Sequence, residues 1–265
     1  MRILNHGPEK ISVISQEITW LLNERYNGTI TKEAKKDIAR LQGGEPVDYV
    51  IGYKKFLGCK IDLRYRPLIP RAETEFWVGS VIGKIADAHK LKSPLVFKCL
   101  DIFAGSGCVG IAALKHLKKS HCDFVDIDDN ALKQIRLNLK LNKIDKKRYK
   151  VIKSDVFEKV KGQYDCIFAN PPYIAQGEKS KVQKSALNFE PQKALFAKDK
   201  GLFYIKKFLQ QAKQFLADDG VIYLEFDSLQ KRAIKRFLER RGCKGYHFFR
   251  DQFGKWRYLL CCFVK

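Results

Sequence analysis

Four short stretches of the chain carry residues whose types and spacing suit chemistry. One is Asn170-Pro171-Pro172-Tyr173, which closes the apolar run from Cys166 to Ala169. Proline has no N–H and fixes φ, so a Pro-Pro pair cannot continue inside a sheet, and the strand must stop at Asn170. The Asn side chain offers one acceptor and two donors. The Pro171 carbonyl is free to accept, because strand pairing ends there. Two acceptors in a rigid corner can hold both hydrogens of a planar –NH2 group, with the Tyr173 ring stacked on its flat face. Such a corner suits an amide or an aromatic amine whose nitrogen must be aimed at a reagent.

The other three stretches lie upstream, each at the end of an apolar run. In "LDIFAGSGCVG", Leu100 to Gly110, a strand reaches Asp101 and passes through Phe103, Ala104, Gly105, Ser106 and Gly107 into a helix. Small residues there let a ligand approach the backbone and the helix N-terminus. The loop lacks the Gly-Lys-Ser/Thr of a triphosphate-binding loop and has Phe103 where a dinucleotide fingerprint begins with glycine. Taken alone it also fits a plain strand–helix turn. Asp126 lies 19 residues beyond Gly107, the spacing of the carboxylate that accepts ribose hydroxyls in nucleoside-binding folds. Asp128 suits the cap of the next helix. Asp155, followed by Val156, ends a further strand and is placed to accept from an exocyclic adenine amine, although Ser-Asp is also ordinary turn chemistry.

These residues need a scaffold that brings strand ends together. From Leu95 onward, strand and helix patterns alternate: "VFKCLDIF", "CDFVDI", "YKVIKSDVF", "YDCIFAN" and "VIYLEF" as strands, with amphipathic helices between them. One helix, "GLFYIKKFLQQAKQFLADDG", is expected to run to Gly220, and a basic one covers "LQKRAIKRFLERRG". The alternation implies a mostly parallel sheet covered on both faces. The tightly joined final strands in "YHFFRDQFGKWRYLLCCFV" must be antiparallel to each other. Residues 9–43 read as helical, with Ile11, Ile14, Ile18 and Leu21 or Leu22 at helical spacing, a break at Asn27-Gly28, and Thr31 as a second cap. "YKKFLGCKIDLRY" reads as a hairpin around Gly58. This front part is expected to be too small for a core of its own.

The 265 residues suffice for one α/β domain and a small accessory piece. No apolar stretch approaches the ~18 residues of a membrane span, and the N-terminus lacks an apolar signal core. The eight cysteines form no CxxC and sit mostly in apolar runs, which argues against a disulfide framework or a zinc site and for reduced thiols in the cytoplasm. A net charge of +22 attracts polyanions: nucleic acid, a ribosome or an acidic protein. It is equally compatible with a solvated lysine-rich surface.

Read together, "DIFAGSG", "VDI", "SDVF" and "ANPPY" resemble a class I S-adenosylmethionine-dependent methyltransferase of the amino-methylating kind. "PVDYVIGYKKFLG" and "PLIPRAETEFWV", Pro67 to Val78, narrow the resemblance to the HemK/PrmC family of protein-(glutamine-N5) methyltransferases. A sister family acting on a ribosomal protein usually has a Ser-Pro-Ile-type segment where this chain has Ala72-Glu73-Thr74-Glu75. "NFEPQKALFAKDKGL", "LEFDSLQ" and "RDQFGKWRYLL" extend the match over about residues 46–264.

The resemblance implies a Rossmann-like seven-stranded sheet with an antiparallel last strand. It divides the chain into a helical substrate-docking domain (1–52), a β-hairpin linker (53–66) and a catalytic domain (67–265). It implies cofactor contacts at Phe103 to Gly107, Asp126, Asp155, Val156 and Asn170, and a substrate-amide site at Asn170, Pro171, Pro172 and Tyr173. The implied cofactor is S-adenosylmethionine, with S-adenosylhomocysteine as product and no metal. The implied partner is a peptide chain release factor, methylated at the glutamine of its Gly-Gly-Gln motif. A membrane is not implied, and nucleic acid is possible but not required. Three departures stand out: Phe103 replaces the usual first glycine of the cofactor loop, Asp227 stands where the family commonly has glycine, and the helical front part is short. Two rival readings share these motifs. One is a nucleic-acid methyltransferase acting on adenine N6 or guanine N2. The other is a non-catalytic RNA- or ribosome-binding module, with Phe103 as its only support.

Overall fold

The computed structural model describes residues 8–92 and 96–263. The side chains of residues 8–15 and 88–92 lie outside the described set, and Ile11 and Ile14 with them. The chain opens with three helices, α1 (Pro8–Tyr26), α2 (Lys32–Gln42) and α3 (Val47–Ile51). Thr31 caps α2, its hydroxyl oxygen accepting from the Ala34 N–H at 3.1 Å. Contrary to expectation, these helices close a small cluster of their own, with Leu21, Leu41, Val47 and Val50 buried together. Three helices thus suffice to exclude water from four aliphatic side chains. An ion-pair cluster of Arg25, Asp37, Arg40 and Glu45 surrounds them.

Strands β1 (Tyr53–Phe56) and β2 (Cys59–Asp62) form the expected hairpin. Leu57 and Gly58 have φ of 45° and 75°, the pair of left-handed residues that a two-residue turn of this twist requires. Phe56, Cys59, Ile61 and Leu63 enter the main core. Two fully buried amides from a later helix grip the segment. The Asn138 oxygen accepts from the Asp62 N–H at 2.8 Å, and the Gln134 oxygen from the Tyr65 N–H at 2.9 Å. The Asn138 NH2 also donates to the Ser106 carbonyl at 3.0 Å, so one side chain couples the hairpin to the Gly105–Gly107 loop.

The main body follows as α4 (Ala72–Lys92), β3 (Phe97–Ile102), α5 (Cys108–His116), β4 (Ser120–Asp126), α6 (Asp129–Leu141), β5 (Tyr149–Lys153) and β6 (Tyr164–Ala169). A segment of short elements comes next: β7 (Ile174–Ala175), α7 (Lys184–Phe189), α8 (Gln192–Leu195) and β8 (Phe196–Ala197). The chain continues through α9 (Phe203–Gln211), β9 (Leu216–Glu225), α10 (Lys231–Arg240), β10 (Gly245–Arg250) and β11 (Trp256–Cys262). The seven-stranded sheet has the order β10-β11-β9-β6-β3-β4-β5. Pairs β3–β4, β3–β6, β4–β5 and β6–β9 are parallel, while β11 is antiparallel to both neighbours.

Alternate residues of the central strands feed two cores. Cys99, Cys166 and Phe168 face one, and Leu100, Ile102, Ile167 and Ala169 the other. A strand covered on both faces reads as an unbroken apolar run, as these do. Two boundaries differ from the sequence pattern. The helix expected to reach Gly220 stops at Gln211, and β9 begins at Leu216. Asp219 takes φ 61° there, and β9 skips register against β6 between Tyr164 and Cys166, so the polar Asp-Asp-Gly stretch is a bulge in a strand rather than the end of a helix. Strand β5 ends at Lys153, before Asp155.

Candidate functional site

Strand order reverses at β3, which pairs with β4 on one side and β6 on the other. A crevice opens beyond the carboxyl ends at such a point. Here the cleft is lined by Phe103, Ala104, Gly105 and Ser106 from the turn after β3, Asp126 and Ile127 after β4, Asp155 and Val156 after β5, and Asn170 and Pro172 after β6. Four stretches separated by up to seventy residues thus share one wall. Of the expected site residues, Gly107, Pro171 and Tyr173 do not line it. Gly107 caps α5 at φ 77°. Pro171 is buried, and Tyr173 sits behind the corner with its hydroxyl donating to Glu225 at 3.0 Å. The buried carboxylate draws the ring away from the open side of the cleft.

Asp126 is held by two backbone donors. Its Oδ2 accepts from the Gly105 N–H at 2.8 Å and its Oδ1 from the Asp128 N–H at 2.9 Å. A carboxylate has about four acceptor positions, so two remain for hydroxyl donors in the cleft. Asp128 caps α6 as expected, accepting from the Asn130 N–H. Asp155 has one oxygen engaged by the Lys207 ammonium at 2.7 Å, leaving the other to accept. Ile127, more than half exposed beside Asp126, offers an apolar face for a flat ring.

Phe103 and Val156 both adopt left-handed backbone, with φ of 61° and 53°. That conformation costs a non-glycine residue about 1 kcal/mol or more. Aromatic packing offsets it: the Phe103 ring meets Tyr204 and Phe208 edge-on, and Phe157 stacks on Phe208 and Phe215. The phenyl group in the glycine position therefore packs toward α9 and keeps the turn.

Asp101 lies beneath the loop, buried, with its Oδ2 accepting from the Gly110 N–H at 2.9 Å. Burial pushes its carboxyl up to about 8, with the Asp126 charge adding to the shift. Its folded value thus stands above its unfolded value. The associated stability is full below the ordinary carboxylate range and is lost as pH rises toward 8. Asp101→Asn should flatten the pH dependence of urea unfolding between about pH 4 and 8, by up to ~1.4 kcal/mol per pH unit. An unchanged slope in the variant would refute this.

Two buried carboxylates near the cleft escaped the sequence reading. Glu225 ends β9 and is 1% exposed, yet three donors converge on it: the Thr74 hydroxyl and Trp77 Nε1–H, each at 2.7 Å, and the Tyr173 hydroxyl. Burial raises its pKa, while Trp77, Thr74 and the nearby Arg257 oppose the rise. Glu190 accepts from the Ile69 N–H at 3.1 Å and pairs with Arg71 at 2.6 Å, tying "PLIPRAETE" to "NFEP". The signal for Glu225 was present, a carboxylate at a strand's end like Asp101 and Asp126. Its partner Thr74 stands 151 residues away, beyond any local pattern. Among the described residues no group of three or more His, Cys, Asp or Glu side chains is placed to hold a metal ion.

The chain is similar to known methyltransferases. The family model "Methyltransferase small domain" matches residues 88–205. A release factor glutamine methyltransferase of Lactococcus lactis subsp. lactis is 33% identical over 246 residues, covering 92% of this chain and 87% of that protein. A bifunctional methyltransferase of Rickettsia prowazekii is 33% identical over 244 residues, covering 87% of this chain and 47% of that protein, so the chain spans about half of that relative. Among solved structures, the hMettl16 catalytic domain in complex with MAT2A 3′UTR hairpin 1 superposes with a TM-score of 0.62 at 16% identity, covering 98% of this chain and 92% of that one. The likeness to that structure is one of fold.

Proposed function

The chain belongs to the HemK/PrmC family of release factor glutamine methyltransferases and has the class I methyltransferase fold, and on that premise we propose that it methylates the side-chain amide nitrogen of the glutamine in the Gly-Gly-Gln motif of a peptide chain release factor. One observation carries the reading: Asn170 shares a cleft with Asp126 and the Phe103–Ser106 turn, so an amide gripped at the corner lies beside a nucleoside-sized site.

The donors and acceptors of that cleft fit S-adenosylmethionine. The two free acceptor positions on Asp126 suit a ribose diol, the free Asp155 oxygen an adenine amine, and Ile127 and Val156 the faces of the base. Bound there, the cofactor supplies a methyl group activated by a sulfonium centre and leaves as S-adenosylhomocysteine. The chain's own residues supply the rest. An amide nitrogen is a poor nucleophile because its lone pair is shared with the carbonyl, and it is not deprotonated cheaply at neutral pH. Positioning and electrostatics must therefore do most of the catalysis. Asn170 Oδ1, in the cleft wall, takes one N–H of the substrate amide, and the Pro171 carbonyl, which is buried just behind that wall and accepts no hydrogen bond among the described residues, takes the other once the amide enters the corner. Accepting both draws electron density onto nitrogen and fixes its direction, and the proton that the nitrogen loses on methylation passes to solvent. Pro172 shapes the wall, and Tyr173 braces the corner from behind through Glu225.

In this reading residues 1–52 dock the release factor, the β-hairpin at 53–66 links them to the body, and 67–265 carry the reaction. The eight free thiols and the absence among the described residues of any helix long and apolar enough to cross a membrane support a cytoplasmic site of action. Nucleic acid is not required as a partner.

Labelled S-adenosylmethionine offered with a release factor, rRNA or DNA tests the assignment. Label should appear on the release factor and vanish when the glutamine of its Gly-Gly-Gln motif is replaced by alanine. Label on rRNA or DNA instead would make the chain a nucleic-acid amino-methyltransferase, and no label on any of them a binding module.

A further inference from the structure

The grip on a substrate amide depends on which end of the Asn170 side chain faces the cleft. Its oxygen accepts and its NH2 group donates, so the two orientations have opposite chemistry. Only the orientation with Oδ1 outward can accept from another amide's N–H. The surroundings of Thr74 decide the orientation.

Thr74 is 2% exposed, near the start of α4, and its hydroxyl lies between two partners. On one side Glu225 Oε2 accepts at 2.7 Å, and the same oxygen also takes the Trp77 Nε1–H at 2.7 Å. A hydroxyl has a single proton, and here the carboxylate takes it. On the other side Asn170 Nδ2 donates to Thr74 Oγ1 at 3.5 Å. This is a long contact of the kind that tightens when a site fills. With its proton committed to Glu225, Thr74 has only lone pairs left for Asn170. Turning the Asn170 amide over would bring two oxygens together without a proton between them.

We infer that Thr74 is a positioning residue: anchored by Glu225, its hydroxyl oxygen holds the NH2 end of Asn170 and so turns Oδ1 toward the substrate amide. The relay runs from β9 through α4 to the end of β6, joining "LEF", "ETE" and "NPPY" by hydrogen bonds rather than by proximity in the chain. Tyr173 donates to the other oxygen of Glu225, and the guanidinium of Arg257 lies nearby. The inference rests on the proposed function, since it assumes that Asn170 receives an amide.

A simpler role for Thr74 would be to seat α4 on the sheet, and three measurements separate the two. Thr74→Val keeps the shape and removes the hydroxyl. It should lower kcat by about 10- to 100-fold, with KM for the release factor and Kd for S-adenosylmethionine each within about twofold of wild type. Thr74→Ser restores the hydroxyl and should recover most of the loss. In 15N-edited spectra the side-chain NH2 pair of Asn170, assigned through Asn170→Asp, should shift and exchange faster with water in Thr74→Val than in Thr74→Ser. If Thr74→Val does not fold, Thr74→Ala takes its place against Thr74→Ser. A wild-type kcat for the valine variant, an equal loss in the serine variant, or an unmoved Asn170 NH2 signal overturns the relay. The NH2 readout needs no substrate. A wild-type protein inert toward release factors would therefore overturn the proposed function while the spectra still decide this inference.

Discussion

Asn170→Ala is expected to lower kcat for methyl transfer to a release factor by about a hundredfold to a thousandfold, the usual cost of losing a preorganised polar partner of the reacting group. Alanine removes the outward acceptor and the inward donor together, and nothing else in the corner can replace them. Asp126 keeps its two backbone donors, and Asp155 keeps Lys207, because none of these bonds involves Asn170. Calorimetric affinity for S-adenosylmethionine should therefore stay within a few-fold of wild type. The variant should also fold, since among the described residues the one hydrogen-bond partner of its side chain is Thr74, at a long 3.5 Å. Transfer at the wild-type rate would remove the corner from the mechanism. Loss of cofactor binding in step with activity would place Asn170 in the nucleoside site instead.

The second large effect is expected at Gly201, which lies behind the corner rather than in it. Its φ is 82°, and a Cβ there would stand 2.0 Å from the Tyr173 carbonyl oxygen and 2.5 Å from Gln230 Nε2. That carbonyl is the acceptor for Gln230 Nε2 at 2.8 Å, and Gln230 also binds the Lys200 carbonyl at 3.2 Å. Three segments distant in sequence meet at one point with no room for a methyl group. In Gly201→Ala the Tyr173 carbonyl must move, which frees Gln230 and shifts the hydroxyl that braces Glu225. Left-handed strain and overpacking together should cost ~3 kcal/mol or more. At about 2–4 °C per kcal/mol, Tm should fall by roughly 6–12 °C. Methyl transfer measured well below that Tm should still be impaired, because the corner is displaced even where the protein is folded. A variant with wild-type Tm would show that the segments are loosely joined.

Whatever depends on local periodicity was legible in the sequence. Asp128 caps α6 because an aspartate before an amphipathic run does so anywhere, and Asp126 follows two residues earlier at the end of β4. Asn170 was legible because Pro-Pro ends a strand by covalent necessity. What failed depends on distant partners. The left-handed turn at Phe103 is tolerated because Tyr204 and Phe208 receive the ring, and both lie about a hundred residues downstream. Tyr173 was expected to present its ring to an amide, but Glu225 takes its hydroxyl from the opposite side. The run through Gln211 continued to look helical because lysines, Phe215 and Leu216 keep an amphipathic spacing. The choice of strand from Leu216 is made by pairing with Tyr164, which the local pattern does not contain. The four front residues that make a separate small core illustrate the same limit, since Leu21 meets Leu41, Val47 and Val50 across helix boundaries that no local pattern contains.

Strand β11 lies between β9 and β10 although it follows both in the chain. During synthesis the neighbours on either side emerge first, and the slot between them stays open until residues 256–262 arrive. Until then β9 has an unpaired edge, and Glu225 lacks the pairing with Tyr258 and the nearby guanidinium of Arg257. The corner can thus be assembled only after residues 256–262 have been made. A nascent chain halted before Trp256 would expose a sticky strand edge and carry no competent amide site.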